Sequence, residues 1–201
     1  MFGKKTLVAV VVGAGLMSLP AFSQEGGPLY RNEASVQAFG SFVKSTTNNG
    51  VEQSATNSGG VLASYRFFFN NHNGVELNYG WARNTQTYGL PDGPLGLRTD
   101  SHEISADYVL RFPRKHWSPF VLAGVGGLVF DPKDFAAAST QARAAFIYGG
   151  GADFNLSKRI FVRAEYRGLV YNSPIYDLSG LGGLDRVTHR AEPSVGFGYR
   201  F

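Results

Sequence analysis

The sequence predicts an all-β fold, an eight-stranded antiparallel up-and-down barrel that crosses a membrane. Three observations predict it. Residues 191–201 alternate apolar with polar or small side chains, as membrane-spanning strands do, because successive side chains point to opposite faces of a strand. Seven segments upstream alternate with the same period. Beyond residue 23, no stretch supplies the roughly 20 consecutive apolar residues that a transmembrane helix needs.

The eight predicted strands cover residues 33–44, 58–69, 74–86, 100–112, 118–130, 141–155, 159–171 and 187–201. Strands of about ten residues, tilted near 40°, cross a hydrophobic band of about 25 Å. The connections between the predicted strands alternate in length. Three are short and contain turn-forming residues, at 70–73, 113–117 and 155–158. Four are long and polar or rich in Gly and Pro, at 45–57, 87–99, 131–140 and 172–186. An even strand number places both termini beside the short turns.

Alternation also separates two faces of the predicted barrel wall. The lipid-facing set of the first four strands and of the last two comprises Val36, Ala38, Phe42, Val61, Ala63, Tyr65, Phe67, Phe69, Val75, Leu77, Tyr79, Trp81, Ile104, Ala106, Tyr108, Leu110, Phe112, Ile160, Val162, Ala164, Tyr166, Val170, Ala191, Val195, Phe197, Tyr199 and Phe201. The fifth and sixth strands are apolar on both faces, as at residues 120–123. Their facing is left open.

Charged residues occupy the opposite face of these strands. They are Arg66, Glu76, Asp107, Arg111, Arg163, Glu165, Arg167, Arg190, Glu192 and Arg200. Charges on the lipid face are costly, so these side chains are predicted to point into the lumen. An eight-stranded barrel has room for little beyond its own side chains, which favours a lumen filled with mutual ion pairs. The network is expected to centre on Arg163, Glu165 and Arg167 beside Arg190 and Glu192.

The N-terminal residues predict export from the cytoplasm. Two lysines precede an apolar run at residues 7–19, and small residues precede a predicted cut before Gln24. This is the layout of a secretory signal peptide. The predicted domains are therefore a signal peptide at 1–23 and an outer-membrane β-barrel domain at 24–201.

The composition excludes several classes of function. The chain has no cysteine, which removes disulfides, thiol catalysis and thiolate zinc sites. The net charge of +4 includes the two leader lysines, and the other basic residues are scattered. No nucleic-acid partner is predicted, because nucleic-acid binding needs clustered positive charge.

The last eight residues carry a family resemblance. Gly196 stands two positions after the polar Ser194, and the aromatic residues Tyr199 and Phe201 stand third-last and last. This pattern resembles the C-terminal assembly signal of bacterial outer-membrane proteins. With the leader and the alternation of turns and loops, the chain from about residue 30 to 201 resembles the small eight-stranded outer-membrane barrel family typified by the OmpA membrane domain and OmpX. The resemblance implies a monomer exported through the periplasm to the outer membrane of a Gram-negative-type bacterium. Its expected partners are the lipid bilayer, lipopolysaccharide and the outer-membrane insertion machinery.

The four histidines are the candidate catalytic residues if the protein is an enzyme. His72 and His116 fall in predicted turns, whereas His102 and His189 stand near the outer ends of two strands. His189 has the opposite parity to Glu192 and Ser194, so these three do not share a strand face. The two strand histidines are therefore interpreted as residues of the interfacial belt, although a catalytic triad formed across strands remains open.

No cofactor or metal site is predicted. The acids at 131–134 and 176–177 lack the spacing of a calcium loop. The glycines at 149–151 have no following helix to complete a phosphate site.

The predicted function is therefore that of a non-enzymatic outer-membrane barrel with a structural or surface-interaction role. Four outward loops would make its contacts, and charged side chains would fill its lumen. Three alternatives remain: a narrow porin or small-solute channel, a lipid A-modifying barrel enzyme, and a soluble lipocalin-like barrel with an apolar interior.

Overall fold

The computed structural model of the chain describes residues 30–43, 46–48, 51–55, 58–90, 93–132, 140–172 and 187–201. Eight strands form the barrel wall: β1 (Asn32–Val43), β2 (Ser58–Phe68), β3 (Asn73–Leu90), β4 (Gly93–Arg111), β5 (Trp117–Pro132), β6 (Gln141–Asn155), β7 (Ile160–Asn172) and β8 (Val187–Arg200). Consecutive strands pair antiparallel, and β8 pairs with β1 to close the ring. The predicted fold class is confirmed. Among the described residues, no helix has the length and apolarity to cross a membrane.

The barrel closes where β1 meets β8. The register runs from Glu33↔Arg200 through Val36↔Phe197 to Val43↔Arg190. The two backbones approach closely here, since a Cβ at Gly196 would lie 2.1 Å from the carbonyl oxygen of Val36. Any side chain at position 196 would therefore push the two closing strands apart.

Short turns join the strands at one end of the barrel, called the turn end from here on. The side-chain oxygen of Asn70 accepts hydrogen bonds from the backbone N–H of His72 at 2.9 Å and of Asn73 at 2.8 Å. The hydroxyl of Ser157 accepts one from the backbone N–H of Ile160 at 2.9 Å. Asn and Ser side chains fold the chain back in this way because they replace backbone acceptors in tight turns.

The opposite end, called the loop end, differs from the sequence prediction. The expected loop at 87–99 is wrong, because β3 and β4 remain paired up to Leu90↔Gly93. Backbone ladder bonds do not require an apolar face, so the loss of apolar alternation after residue 86 marks the departure from lipid and not the end of the strand. Within the predicted loop at 45–57, the strands Thr46–Asn48 and Val51–Ala55 pair with each other. The second of them also pairs with β3.

The other two predicted loops lie mostly outside the described residues. Of the segment 131–140, the structure describes 131, 132 and 140, and of 172–186 it describes residue 172. The predicted signal peptide at 1–23 also lies outside the described residues.

The barrel has an apolar outside and a largely polar inside. All members of the predicted lipid-facing set lie on the outer face, exposed or half-buried. The structure also settles the facing of β5 and β6: Val121, Val125 and Phe146 point outward, whereas Phe120 and Ile147 are buried inside. Apolar side chains on both faces explain why alternation was uninformative there. The arrangement is the reverse of a soluble lipocalin-like barrel, which contradicts that alternative.

Candidate functional site in the barrel interior

All ten charged residues predicted for the lumen point into the barrel. None of them is more than 9 % exposed. Three further acids, Glu33, Glu103 and Asp153, are buried among them. The structure therefore contains a continuous set of ion pairs along the barrel interior.

Arg163 is the centre of the half of the network near the turn end. Its Nε donates to Oδ1 of Asp153 at 2.7 Å. Its terminal nitrogens lie 3.3 Å from carboxylate oxygens of Glu33 and Glu76. Arg66 also donates to Glu76 and lies 3.7 Å from Asp153. One guanidinium thus joins acids from β1, β3 and β6.

Glu33 links the two closing strands, β1 and β8, to β4. Its Oε1 accepts from Nε of Arg200 at 2.8 Å and from Nη1 of Arg111 at 2.6 Å. Charge-assisted hydrogen bonds of this length are the stronger class in proteins. Glu33 therefore cross-links β1, β4 and β8 at the turn end.

A second group of ion pairs lies closer to the loop end. Arg167 donates to Glu103, and its Nη1 lies 3.4 Å from Glu192. Arg190 donates to Glu192 and, at 3.1 Å, to the hydroxyl of Ser101. These contacts join β7 and β8 to β4.

Glu165 lies between the two groups and is held loosely. Its Oε2 is 3.5 Å from Nη2 of Arg66, and its Oε1 is 3.8 Å from Nε of Arg167. Oε1 has no hydrogen-bond partner among the described residues. The expected centre at Arg163, Glu165 and Arg167 is thus divided, because Arg163 pairs mainly with Asp153 of the neighbouring strand.

Acids outnumber bases in this network. Within the described residues it joins seven carboxylates (Glu33, Glu76, Glu103, Asp107, Asp153, Glu165 and Glu192) and six guanidinium groups (Arg66, Arg111, Arg163, Arg167, Arg190 and Arg200). With every group ionised, the network carries one excess negative charge.

Aromatic rings complete the packing of the arginines. The guanidinium carbon of Arg66 lies 3.9 Å from the ring centroid of Phe120, and that of Arg111 lies 3.6 Å from Phe68. Such cation–π contacts strengthen when they are shielded from water. The rings thus cover the guanidinium faces that ion pairs leave open.

Apolar side chains fill the loop half of the interior along β5, β6 and β7. The buried cluster contains Leu128, Phe130, Ile147, Leu169 and Tyr171.

Arg66, Arg163, Arg167 and Arg190 are each at most 1 % exposed. Water in an open channel would touch these side chains, so the interior around them is filled.

The sequence prediction did not include Glu33, Glu103 and Asp153, and the sequence indicates the inward position of only two of these three acids. Glu33 and Glu103 have the inward parity of Gln37 and Asp107 on their own strands, so alternation could have found both. Asp153 lies on β6, whose facing the sequence left open. Its role as a partner of Arg163 became visible only through the β6–β7 register, which pairs the two residues.

The two strand histidines lie on the outer face and bond to tyrosines. His102 Nδ1 lies 2.9 Å from the hydroxyl of Tyr79, and His189 Nε2 lies 2.9 Å from that of Tyr148. Ser101 precedes His102 but points inward, so strand alternation separates the two. His72 and His116 lie in turns. These contacts fit residues of the interfacial belt.

The structure describes no cluster of three or more His, Asp or Glu side chains able to hold a metal ion within the ranges it covers. Most of the acidic motifs considered for cations, at 133–134 and 176–177, lie outside those ranges. The glycines at 149–151 lie within β6, where a Cβ at Gly149 would be 2.3 Å from the carbonyl oxygen of Tyr166. Close strand packing accounts for that glycine.

The residues that resemble an assembly signal form part of β8 and its end. Tyr199 and Phe201 point outward, are about half exposed and stack with ring centroids 6.3 Å apart. The hydroxyl of Tyr199 accepts a hydrogen bond from Arg159 at 2.9 Å. Gly196 permits the close contact with β1 described above.

Comparisons with known proteins agree with this architecture. The family model described as outer membrane protein beta-barrel domain matches residues 9–201. Neisserial surface protein A is a similar solved structure, with a TM-score of 0.62 at 14% identity over 85% of this chain and 97% of that one. OprG from Pseudomonas aeruginosa has a TM-score of 0.61 at 17% identity over 86% and 96%. Ail, the attachment invasion locus protein of Yersinia pestis, has 0.55 at 22% over 86% and 99%. Among curated proteins no match is found.

Proposed function

Because the chain belongs to the outer membrane protein β-barrel domain family, we propose that it is a non-enzymatic surface-interaction protein with a closed lumen. It is exported through the periplasm after its leader is removed, and it acts as a monomer in a bilayer that contains lipopolysaccharide. The segments at its loop end make its contacts with other molecules. The family membership supports this location in the outer membrane.

The filled interior is the observation that carries this proposal. Four arginines, each at most 1 % exposed, lie across the lumen with carboxylates from several strands. A conducting pore needs a continuous path of water, and ion pairs this enclosed leave none around them. The charges hold the wall together, and the activity therefore belongs to an outer surface.

The long hairpin of β3 and β4 supports a role for the loop end. These strands have 18 and 19 residues, whereas about ten suffice to cross the hydrophobic band. The hairpin therefore extends well beyond the lipid. The names of two similar proteins, Neisserial surface protein A and the attachment invasion locus protein, describe roles of this kind for those proteins.

Planar-bilayer conductance tests the closed lumen. The wild-type barrel is expected to give no steady current. The paired variant Arg66→Gly with Glu76→Gly, which removes two side chains from the centre without changing net charge, is expected to give one. A steady wild-type current would favour the small-solute channel.

Mass spectrometry of lipid A tests the absence of enzymatic activity. His102 and His189 bond to tyrosines on the lipid face and not to a serine hydroxyl. Lipid A from cells with and without the protein is expected to have the same masses. A deacylated or otherwise altered species that depends on the protein would establish the enzyme.

Assembly is proposed to depend on the aromatic side chains of Tyr199 and Phe201, which the insertion machinery would bind. Deleting Phe201 is expected to reduce the heat-modifiable folded band on unboiled gels. Phe112→Ala is the matched control, because Phe112 is an exposed aromatic residue at the same end of the barrel. Equal losses in the two variants would argue against a specific signal.

A further inference from the structure

Basic side chains are concentrated on two neighbouring turns at the turn end. The turn between β4 and β5 carries Arg114 and Lys115, and the turn between β6 and β7 carries Lys158 and Arg159. All four side chains are exposed. These four residues, called the basic patch from here on, take part in none of the ion pairs among the described residues. Their charge is therefore directed to the surroundings of the barrel.

Hydrogen bonds join the two turns into one surface. The backbone N–H of Asn155 donates to the carbonyl oxygen of His116 at 2.9 Å, and its side-chain amide donates to the carbonyl oxygen of Lys115 at 3.4 Å. Its side-chain oxygen accepts a hydrogen bond from Nη1 of Arg200 at 2.7 Å. The turns that carry the basic patch are thus held together before any ligand binds, which reduces the entropy cost of binding.

Aromatic side chains place the basic patch at the level of lipid head groups. Trp117, Tyr199 and Phe201 point outward at the turn end and are about half exposed. Outward aromatic residues near strand ends mark the level of the head groups. The guanidinium carbon of Arg114 lies 5.6 Å from the ring centroid of Trp117, and Arg159 donates to the hydroxyl of Tyr199 at 2.9 Å. Because short turns face the periplasm, both arginines lie beside the periplasmic leaflet.

The second tryptophan, nearer the loop end, provides a comparison. The guanidinium carbon of Arg83 also lies 5.6 Å from a tryptophan ring, that of Trp81. Arg83 donates to both carboxylate oxygens of Asp100, at 2.6 and 3.0 Å. Arg114 has no such carboxylate in the described ion pairs. The same pair of residue types therefore occurs towards each end of the barrel, and a neighbouring acid compensates the positive charge of Arg83 alone.

The turn end remains positive when its other charges are counted. Arg31, directly before β1, is a fifth exposed base at this end. The sequence adds Glu25 before it and a carboxylate at Phe201. Five bases against these two acids leave an excess of positive charge, which attracts anions.

We propose that the basic patch binds the phosphate head groups of anionic glycerophospholipids in the periplasmic leaflet. Guanidinium groups bind phosphate oxygens through paired N–H donors, and Arg159 keeps further donors after its bond to Tyr199. The exposed ring of Trp117 contacts the glycerol and acyl part of the same lipid, which favours a lipid over a soluble anion. The bound lipids fix the depth of the turn end in the membrane. The proposal rests on the membrane location and not on the surface role of the loop end.

Fluorescence quenching by brominated lipids tests the proposal, because Trp117 reports on the lipid beside Arg114. In the Trp81→Phe barrel Trp117 is the remaining tryptophan. This barrel is folded into vesicles of phosphatidylglycerol and phosphatidylcholine, with one or the other lipid brominated. Phosphatidylglycerol is expected to bind beside Trp117 at least five-fold more tightly than phosphatidylcholine. Arg114→Gln is expected to lower this preference about five-fold, the effect of removing one basic side chain near an anionic surface.

The matched control uses the other end of the same barrel. In the Trp117→Phe barrel, Trp81 reports on the lipid beside Arg83, whose charge is compensated by Asp100. The preference measured there is expected to be near one. Lys158→Gln in the Trp81→Phe barrel is a second patch variant, and it leaves both arginine–aromatic contacts in place. It is expected to lower the preference at Trp117 in the same direction, and the heat-modifiable band shows that each variant is folded.

Three results would overturn the proposal. The first is a preference near one at Trp117, or one that Arg114→Gln and Lys158→Gln both leave unchanged. The second is loss of the preference in millimolar glycerol phosphate, which would indicate a site for soluble anions. The third is co-sedimentation with peptidoglycan that the two variants lose while they keep the lipid preference, which would assign the patch to the cell wall. Conductance and lipid A masses are separate readouts, so failure here is distinct from failure of the proposed function.

Discussion

The two sides of the barrel interior are filled by different means. On β1, β2, β3, β4, β7 and β8, charged side chains reach across the lumen and pair with partners on other strands. On β5 and β6 most inward side chains are apolar, and Asp153 is the inward acid of the described ion pairs there. The charged side depends on specific partners, whereas the apolar side depends on volume. Substitutions on the charged side and on the apolar side are therefore expected to change the free energy of unfolding for different reasons.

The largest effect is expected on the charged side, from Arg163→Ala. The variant leaves Asp153, Glu33 and Glu76 without their shared guanidinium. Removing one partner of a buried ion pair costs about 3–5 kcal/mol of unfolding free energy. Urea unfolding in lipid vesicles, followed by tryptophan fluorescence, measures the loss. A cost below about 1 kcal/mol, as for exposed pairs, would mean that the lumen is wet and would favour the channel.

A somewhat smaller effect is expected on the apolar side, from Leu128→Ala. Leu128 is fully buried in the cluster of the loop half, and deleting such a side chain costs about 3 kcal/mol. Leu128→Met, which keeps the volume, is the control and should cost less than about 1.5 kcal/mol. If both variants cost the same in the urea assay, packing does not decide stability on this side.

The two sides also differ in how well the sequence predicts which side chains point into the lumen. Alternation places the predicted inward charges of five strands correctly, because lipid outside the barrel favours apolar side chains and the lumen accepts charged ones at alternate positions. It failed on β5 and β6, where Val121 outside and Phe120 inside are both apolar. The partners of each charge were beyond prediction, since the contact between Arg163 and Asp153 depends on strand register.

Two acids within the charged side, Glu76 and Glu165, are expected to contribute differently to stability. Glu76 contacts both Arg66 and Arg163, whereas Glu165 has contacts of 3.5 and 3.8 Å and an unbonded Oε1. Glu76→Gln is expected to cost about 2–3 kcal/mol, typical of hydrogen bonds to charged groups. Glu165→Gln is expected to cost less than about 1 kcal/mol, since it also removes the excess negative charge. The reverse order in urea unfolding would contradict the described network.

The smallest effect is expected outside the lumen, from Arg83→Gln on β3. Arg83 donates to Asp100 at 2.6 Å, but its side chain is 53 % exposed. Exposed ion pairs contribute little because water and salt screen them. The urea midpoint should therefore not move beyond experimental error, and a shift as large as that of Glu76→Gln would show that the hairpin takes part in the stability of the barrel.

The closure of the ring by β1 and β8 has a consequence for folding speed. Seven of the wall pairings join neighbours along the chain, and each needs the closure of one short segment. The eighth joins residues such as Glu33 and Arg200, which are 167 positions apart. Contacts between distant residues cost the most chain entropy and slow folding accordingly. The hairpins are therefore expected to form early, and the rate of barrel formation is expected to be limited by this one long-range contact.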